Sequence, residues 1–148
     1  MITIYRILPV LAALSLCSCM TFEQEWSQAV SAYQSGKTAS PEGPWIGDWT
    51  TVTNGHEGDL RAIVSKSKSK PDEYEFRYHA TWKKILSGSY KVSFPVRKRG
   101  SSYLVDGGKD LGLFGDFGHK ATITGNTFKA TYSNDREELG EFRMTRPE

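Results

Sequence analysis

Residues 73–82 read Glu-Tyr-Glu-Phe-Arg-Tyr-His-Ala-Thr-Trp, and the alternation in this stretch decides the fold. Successive side chains of an extended chain point to opposite sides. Tyr74, Phe76, Tyr78, Ala80 and Trp82 therefore share one face, while Glu75, Arg77, His79 and Thr81 take the other. One apolar and one polar face predict a strand in a sheet that is packed on one side and wet on the other.

The same pattern extends in both directions. Leu60, Ala62 and Val64 oppose Asp59, Arg61 and Ser65; Tyr90, Val92, Phe94 and Val96 oppose Lys91, Ser93 and Arg97; Phe128, Ala130 and Tyr132 oppose Lys129 and Thr131. Strands are predicted over 46–54, 58–66, 73–82, 89–98, 101–106, 119–124, 127–133 and 140–146. Between them stand turn-forming steps such as Asn54-Gly55, Pro71-Asp72, Gly107-Gly108 and Gly125-Asn126. Eight strands without inserted helices close as a barrel or stack as two sheets. Consecutive hairpins favour a small antiparallel up-and-down β-barrel, which also leaves no sticky edge. The strands are short and their polar faces charged, which argues against a barrel immersed in lipid. Tyr74, Phe76, Tyr78, Tyr90, Phe94 and Tyr132 are the candidate lining of a ligand chamber. Their bulk, with Tyr103, Phe128 and Phe142, is also enough to fill so narrow a lumen.

Residues 20–43 differ in composition. Glu23 to Gln34 hold no Gly or Pro, and Phe22, Trp26, Val30 and Tyr33 recur at helical spacing. Thr21 with Gln24 forms a candidate capping box and Gly36 a stop. Lys37 to Gly43 reads as a linker. The apolar stripe is expected to pack on the domain that follows. Its acidic start, Glu23 and Glu25, weakens a role at a membrane surface.

The first residues read as an address. Ile7 to Leu16 form an apolar run of ten residues, against the roughly 20 that a spanning helix needs. The run has the length of a signal-peptide core. Leu16-Cys17-Ser18-Cys19 follows. It resembles the lipobox of bacterial lipoproteins, with Cys17 standing where Ala or Ser is commoner. The resemblance implies a leader over 1–18, acylation of Cys19 with palmitate-type chains, a lipidated tether over 19–43 and a barrel domain over 44–148. Met20 after the cysteine implies outer-membrane sorting. An ordinary secretory signal is the alternative.

The chain's 148 residues leave room for one domain with short appendages, and a net charge of +2 is too mild to imply nucleic acid. Both cysteines, Cys17 and Cys19, precede the domain, which excludes a disulfide framework or cysteine metal site within it. Gly47-Asp48-Trp49 opens the first predicted strand, and Arg146 shares parity with Phe142 and Met144 in the last. This arrangement resembles the calycin superfamily, lipocalins and their small bacterial relatives. The resemblance implies that Trp49 closes one barrel end with Arg146 lying across its ring.

Candidate chemistry is sparse. His56, His79 and His119 share no ligand spacing and are expected at the surface or in turns, so neither a metal nor another cofactor is expected. The serines lie in turns without a nucleophile elbow, and the aspartates stand beside glycines as turns require. Residues 105–118 alternate five glycines with Leu111, Leu113, Phe114 and Phe117. They are expected to form a loop that plugs the barrel end or serves as a lid over it. The expected function is non-enzymatic: a membrane-anchored, lipocalin-like domain binding a small apolar or amphiphilic molecule. The alternative is a filled structural barrel whose outer face binds another envelope protein.

Overall fold

The structure, a computed structural model, describes residues 20–83, 85–110, 116–134 and 138–148. It comprises α1 (Phe22–Gln34) followed by β1 (Gly43–Thr51), β2 (Glu57–Lys66), β3 (Glu73–Trp82), β4 (Leu86–Arg99), β5 (Ser102–Asp110), β6 (Asp116–Thr124), β7 (Thr127–Asn134) and β8 (Leu139–Thr145). Each strand pairs antiparallel with the next and β8 returns to β1, closing the sheet. The result is the all-β, eight-stranded antiparallel barrel that the alternation predicted, an architecture consistent with the calycin-like fold that the resemblance implied. Residues 1–18, Cys19, Leu111, Leu113 and Phe114 lie outside the described residues.

The topology gives the barrel two distinct ends. The β2–β3, β4–β5 and β6–β7 turns form the lower end, where β1 begins and β8 finishes. The β1–β2, β3–β4, β5–β6 and β7–β8 connections form the upper rim. Register aligns the inward faces strand by strand: Trp45 stands beside Ala62, Ala62 beside Tyr78, and Tyr78 beside Tyr90. Among the described pairs, β4 meets β5 only from Val96↔Val105 to Arg99↔Ser102. Pro95 lies at that boundary and has no N–H with which to continue a ladder.

Several predicted boundaries shift by one to four residues, and two of the shifts matter for the fold. β1 begins at Gly43 rather than residue 46, so part of the expected linker belongs to the sheet. The glycine-rich stretch 105–118, expected as a loop, is strand up to Asp110 and again from Asp116. Its glycines have a packing reason. A Cβ at Gly107 would overlap the Phe94 ring, and one at Gly140 would overlap the Tyr132 ring. Glycines stand where the aromatic side chains need the space.

The tether segment is docked rather than loose. Thr21 and Gln24 form the reciprocal capping box, and Gly36 takes φ 72° after the last turn. Phe22, only 6% exposed, stacks on His79 at 4.8 Å beneath the Arg61 and Arg77 guanidinium groups. Glu23 pairs with Arg61 and Glu25 with Arg77. Burial of one phenylalanine contributes about 2–3 kcal/mol. Partly exposed ion pairs contribute at most about 1 kcal/mol each, so the ring fixes the helix and the carboxylates set its register. Arg61, Arg77 and His79, read from the sequence as a solvated face, are roofed by α1.

Substituting Gly107→Ala is expected to cost about 1–3 kcal/mol in urea unfolding, because the Phe94 ring must move. Gly88→Ala, where an added Cβ meets nothing within 4 Å, should stay within about 0.5 kcal/mol. Equal effects at the two positions would refute the account of Gly107.

Candidate functional site

The six side chains proposed to line a chamber point inward, and they occupy the lumen themselves. Phe76 and Tyr78 are 0% exposed and Phe94 is 2%. Tyr74, Tyr90 and Tyr132 pack against this cluster from its margins. Phe128, Ile123, Leu60 and Met144 fill the remaining middle and lower layers. A void large enough for water would leave the surfaces of Phe76, Tyr78, Phe94 and Phe128 accessible, so none adjoins these four rings. The rings pack tilted or edge-on, as in Phe76–Phe128 at 6.2 Å and 87°.

A polar pair is embedded in this apolar packing. Tyr78 Oη and His119 Nε2 share a 2.9 Å hydrogen bond, with the imidazole stacked on Phe94 at 5.2 Å. Burial pulls the His119 pKa down to about 4 and pushes Tyr78 well above the usual phenol range. Both groups therefore stay neutral at physiological pH. The sequence reading placed His119 at the surface or in a turn, whereas it is 1% exposed. Its parity with Ala121 and Ile123 was the available signal. A rim groove of about 550 Å³ borders this residue and Tyr132, but the ring itself lies behind the barrel wall. Near the rim, Thr51 Oγ1 and the Tyr132 hydroxyl share a 2.5 Å hydrogen bond.

The lower end is closed by a cation on a ring. Arg146 lies with its guanidinium carbon 3.7 Å from the Trp45 ring centroid and 5.0 Å from that of Tyr33 on α1. It donates to the Pro44 carbonyl and to Ser40 Oγ, while the Trp45 indole N–H donates to the Pro41 carbonyl. Desolvation lowers the Arg146 pKa to about 10, so the side chain remains charged. The ring under Arg146 is thus Trp45, not Trp49. The chain holds two Gly-x-Trp triplets, Gly43-Pro44-Trp45 and Gly47-Asp48-Trp49, and reading 37–43 as a linker concealed the first. Trp49 faces inward near the opposite end, where its indole N–H donates to the Thr81 carbonyl. Gly58 leaves room for it, since a Cβ there would sit 2.7 Å from Nε1.

Outside, α1 leaves the β5–β8 wall uncovered. A shallow groove of about 730 Å³ runs there, with Arg97, Lys120, Lys129 and Arg143 set against Asp106 and Glu141. Arg143 pairs with Glu141 at 2.6 Å. The three histidines do not converge. His56 packs on Trp82 at the rim, His79 lies under Phe22, and His119 is in the core. Among the described residues no group of three potential metal ligands comes together. Comparison with protein-family models, with curated proteins and with solved structures finds no match to this chain.

Arg146→Lys keeps the charge but loses the planar stack and the fork, and should lower unfolding stability by about 2 kcal/mol. An unchanged denaturation midpoint would remove Arg146 from its closing role. His119 gives a pH signature. An unfolded histidine titrates near 6.5, whereas the folded one titrates at about 4. Between these values the unfolded chain takes the proton first. The contribution is full above pH of about 6.5 and is lost towards pH 4, by about 3 kcal/mol. Urea titrations across this range should show that slope, and His119→Gln should flatten it.

Proposed function

We propose that the chain is a lipid-anchored envelope protein whose filled, non-catalytic barrel works through its outer surface. Acylated Cys19 holds it, in this reading, to the outer membrane. The occupied lumen carries the proposal. Carriage of an apolar molecule requires a chamber, and Phe76, Tyr78, Phe94, Phe128 and His119 take up that space with almost no accessible surface. The uncovered β5–β8 wall, with its four cations and two carboxylates around a groove, offers a polar surface suited to another envelope protein. Charged groups set out in this way steer a partner of complementary charge and fix its register.

Native mass spectrometry of the protein extracted mildly from membranes is expected to give the processed polypeptide with its acyl chains and no further molecule. A retained small molecule would return the reading to carriage. Cys19→Ser should release the protein from membranes and abolish palmitate incorporation; labelling that persists in this variant would exclude acylation at Cys19.

A further inference from the structure

We propose that the upper rim of the barrel is a lipid-contacting face, so that the domain stands on the bilayer with its β1–β2 and β3–β4 turns against the headgroups. The proposal rests on the reading that Cys19 is acylated. Five large hydrophobic side chains are strongly exposed among the described residues: Ile46, Val52, Ile85, Leu86 and Leu139. All but Ile46 lie at the upper rim. Isolated exposed aliphatics are ordinary on any protein, but grouping at one end of a barrel is not.

Contacts tie these residues into two adjoining patches. The Val52 N–H donates to the Leu139 carbonyl at 2.7 Å, joining the β1–β2 turn to the start of β8. The Ile85 N–H donates to the Trp82 carbonyl at 3.2 Å, and Trp82 pairs with Leu86 across the β3–β4 hairpin. His56 from the β1–β2 turn packs on Trp82 at 5.3 Å and links the two hairpins. Ile85 is 86% exposed and Val52 68%, and no described residue covers them.

The hairpin chemistry suits the boundary between headgroups and acyl chains. Its described residues Trp82, Lys83, Ile85 and Leu86 are an amphipathic ring, a cation and two aliphatic tips. The Lys83 ammonium lies 4.6 Å from the Trp82 ring centroid. Indoles settle at membrane interfaces, lysines reach phosphates, and aliphatic tips enter the acyl boundary. Asp48, Glu57 and Asp59 stand on the neighbouring strands around the same groove. Contact is therefore through apolar insertion more than through net charge.

The docked helix supplies the orientation. Phe22 lies over Arg61 and His79, part-way up β2 and β3, while Tyr33 lies over Arg146 at the lower end. Thirteen helical residues span about 20 Å, so the chain approaches α1 from the rim side. Cys19 precedes Phe22 by three residues, a reach of about 10 Å at most. From His79 to the hairpin at Trp82 is a similar distance, about 10 Å along the strand. An acylated Cys19 thus reaches the plane of the upper rim and cannot reach the lower end. The short link and the apolar rim select the same face.

The test uses the purified acylated protein in vesicles of phosphatidylethanolamine and phosphatidylglycerol. After processing removes Cys17 and acylation blocks Cys19, an introduced cysteine is the only free thiol. Ile85→Cys at the rim and Ser101→Cys at the lower-end β4–β5 turn are each labelled with a fluorophore, and a spin-labelled lipid is added as quencher. The expected result is quenching about threefold stronger or more at Ile85 than at Ser101. Equal or absent quenching on vesicle-bound protein would overturn the orientation and leave the anchor standing. A reactive Cys19 together with protein that leaves the vesicles would overturn both. A photo-crosslinker at Ile85 that captures a polypeptide in native envelopes, with no quenching in vesicles, would make the rim a protein interface instead.

Discussion

The bore of an eight-stranded barrel is only wide enough for the side chains that point into it, and the remaining structure follows from how this chain fills it. Phe76, Tyr78, Phe94, His119, Phe128 and Phe142 meet one another across the lumen, with ring centroids such as Tyr78–Phe142 at 5.4 Å and His119–Phe142 at 5.8 Å. So many rings fit only because other inward positions are small. Ala62, Ala121 and Ala130 are buried among them, and Gly107 and Gly140 have no side chain where Phe94 and Tyr132 lie. The Tyr78–His119 hydrogen bond satisfies polar groups that would otherwise be costly to bury.

A filled lumen moves recognition to the ends and the wall, and the two ends differ in chemistry. The lower end is sealed by Arg146 over Trp45, with Ser40 and Tyr33 from the segment before the barrel contributing to the seal. α1 and the residues that follow it therefore belong to the domain's closure. At the upper rim, no described residue gives such cover to Val52, Ile85 and Leu86. On the wall, α1 neutralises Arg61 and Arg77 with Glu23 and Glu25, whereas around β5–β8 Arg143 pairs with Glu141 beside Arg97, Lys120 and Lys129. The result is one closed end, one apolar end and one polar flank.

Strand type and inward parity were legible because alternation is a local property. Tyr74, Phe76 and Tyr78 fall on one side of any extended backbone, whatever they pack against. The capping box at Thr21 and Gln24 was legible for the same reason, since both partners lie within one helical turn. The closing pair was not. Trp45 and Trp49 have the same parity on the same strand, and nothing within either triplet says which ring Arg146 reaches. That depends on the β1–β8 register, in which Ile46 pairs with Thr145. His119 was misplaced because its type suggested the surface, although its parity with Ala121 and Ile123 pointed inward.

By itself the sequence determined the elements: eight strands, their inward faces and the capped helix. Each rests on spacing over a few residues, where covalent geometry dictates which side chains share a side. Only the tertiary structure decided that the inward rings fill the lumen rather than line it, that Arg146 stacks on Trp45, and that α1 lies on Arg61, Arg77 and His79. These outcomes depend on volume and on distances between residues far apart in the chain. Both are set when the sheet closes, and no local pattern contains them.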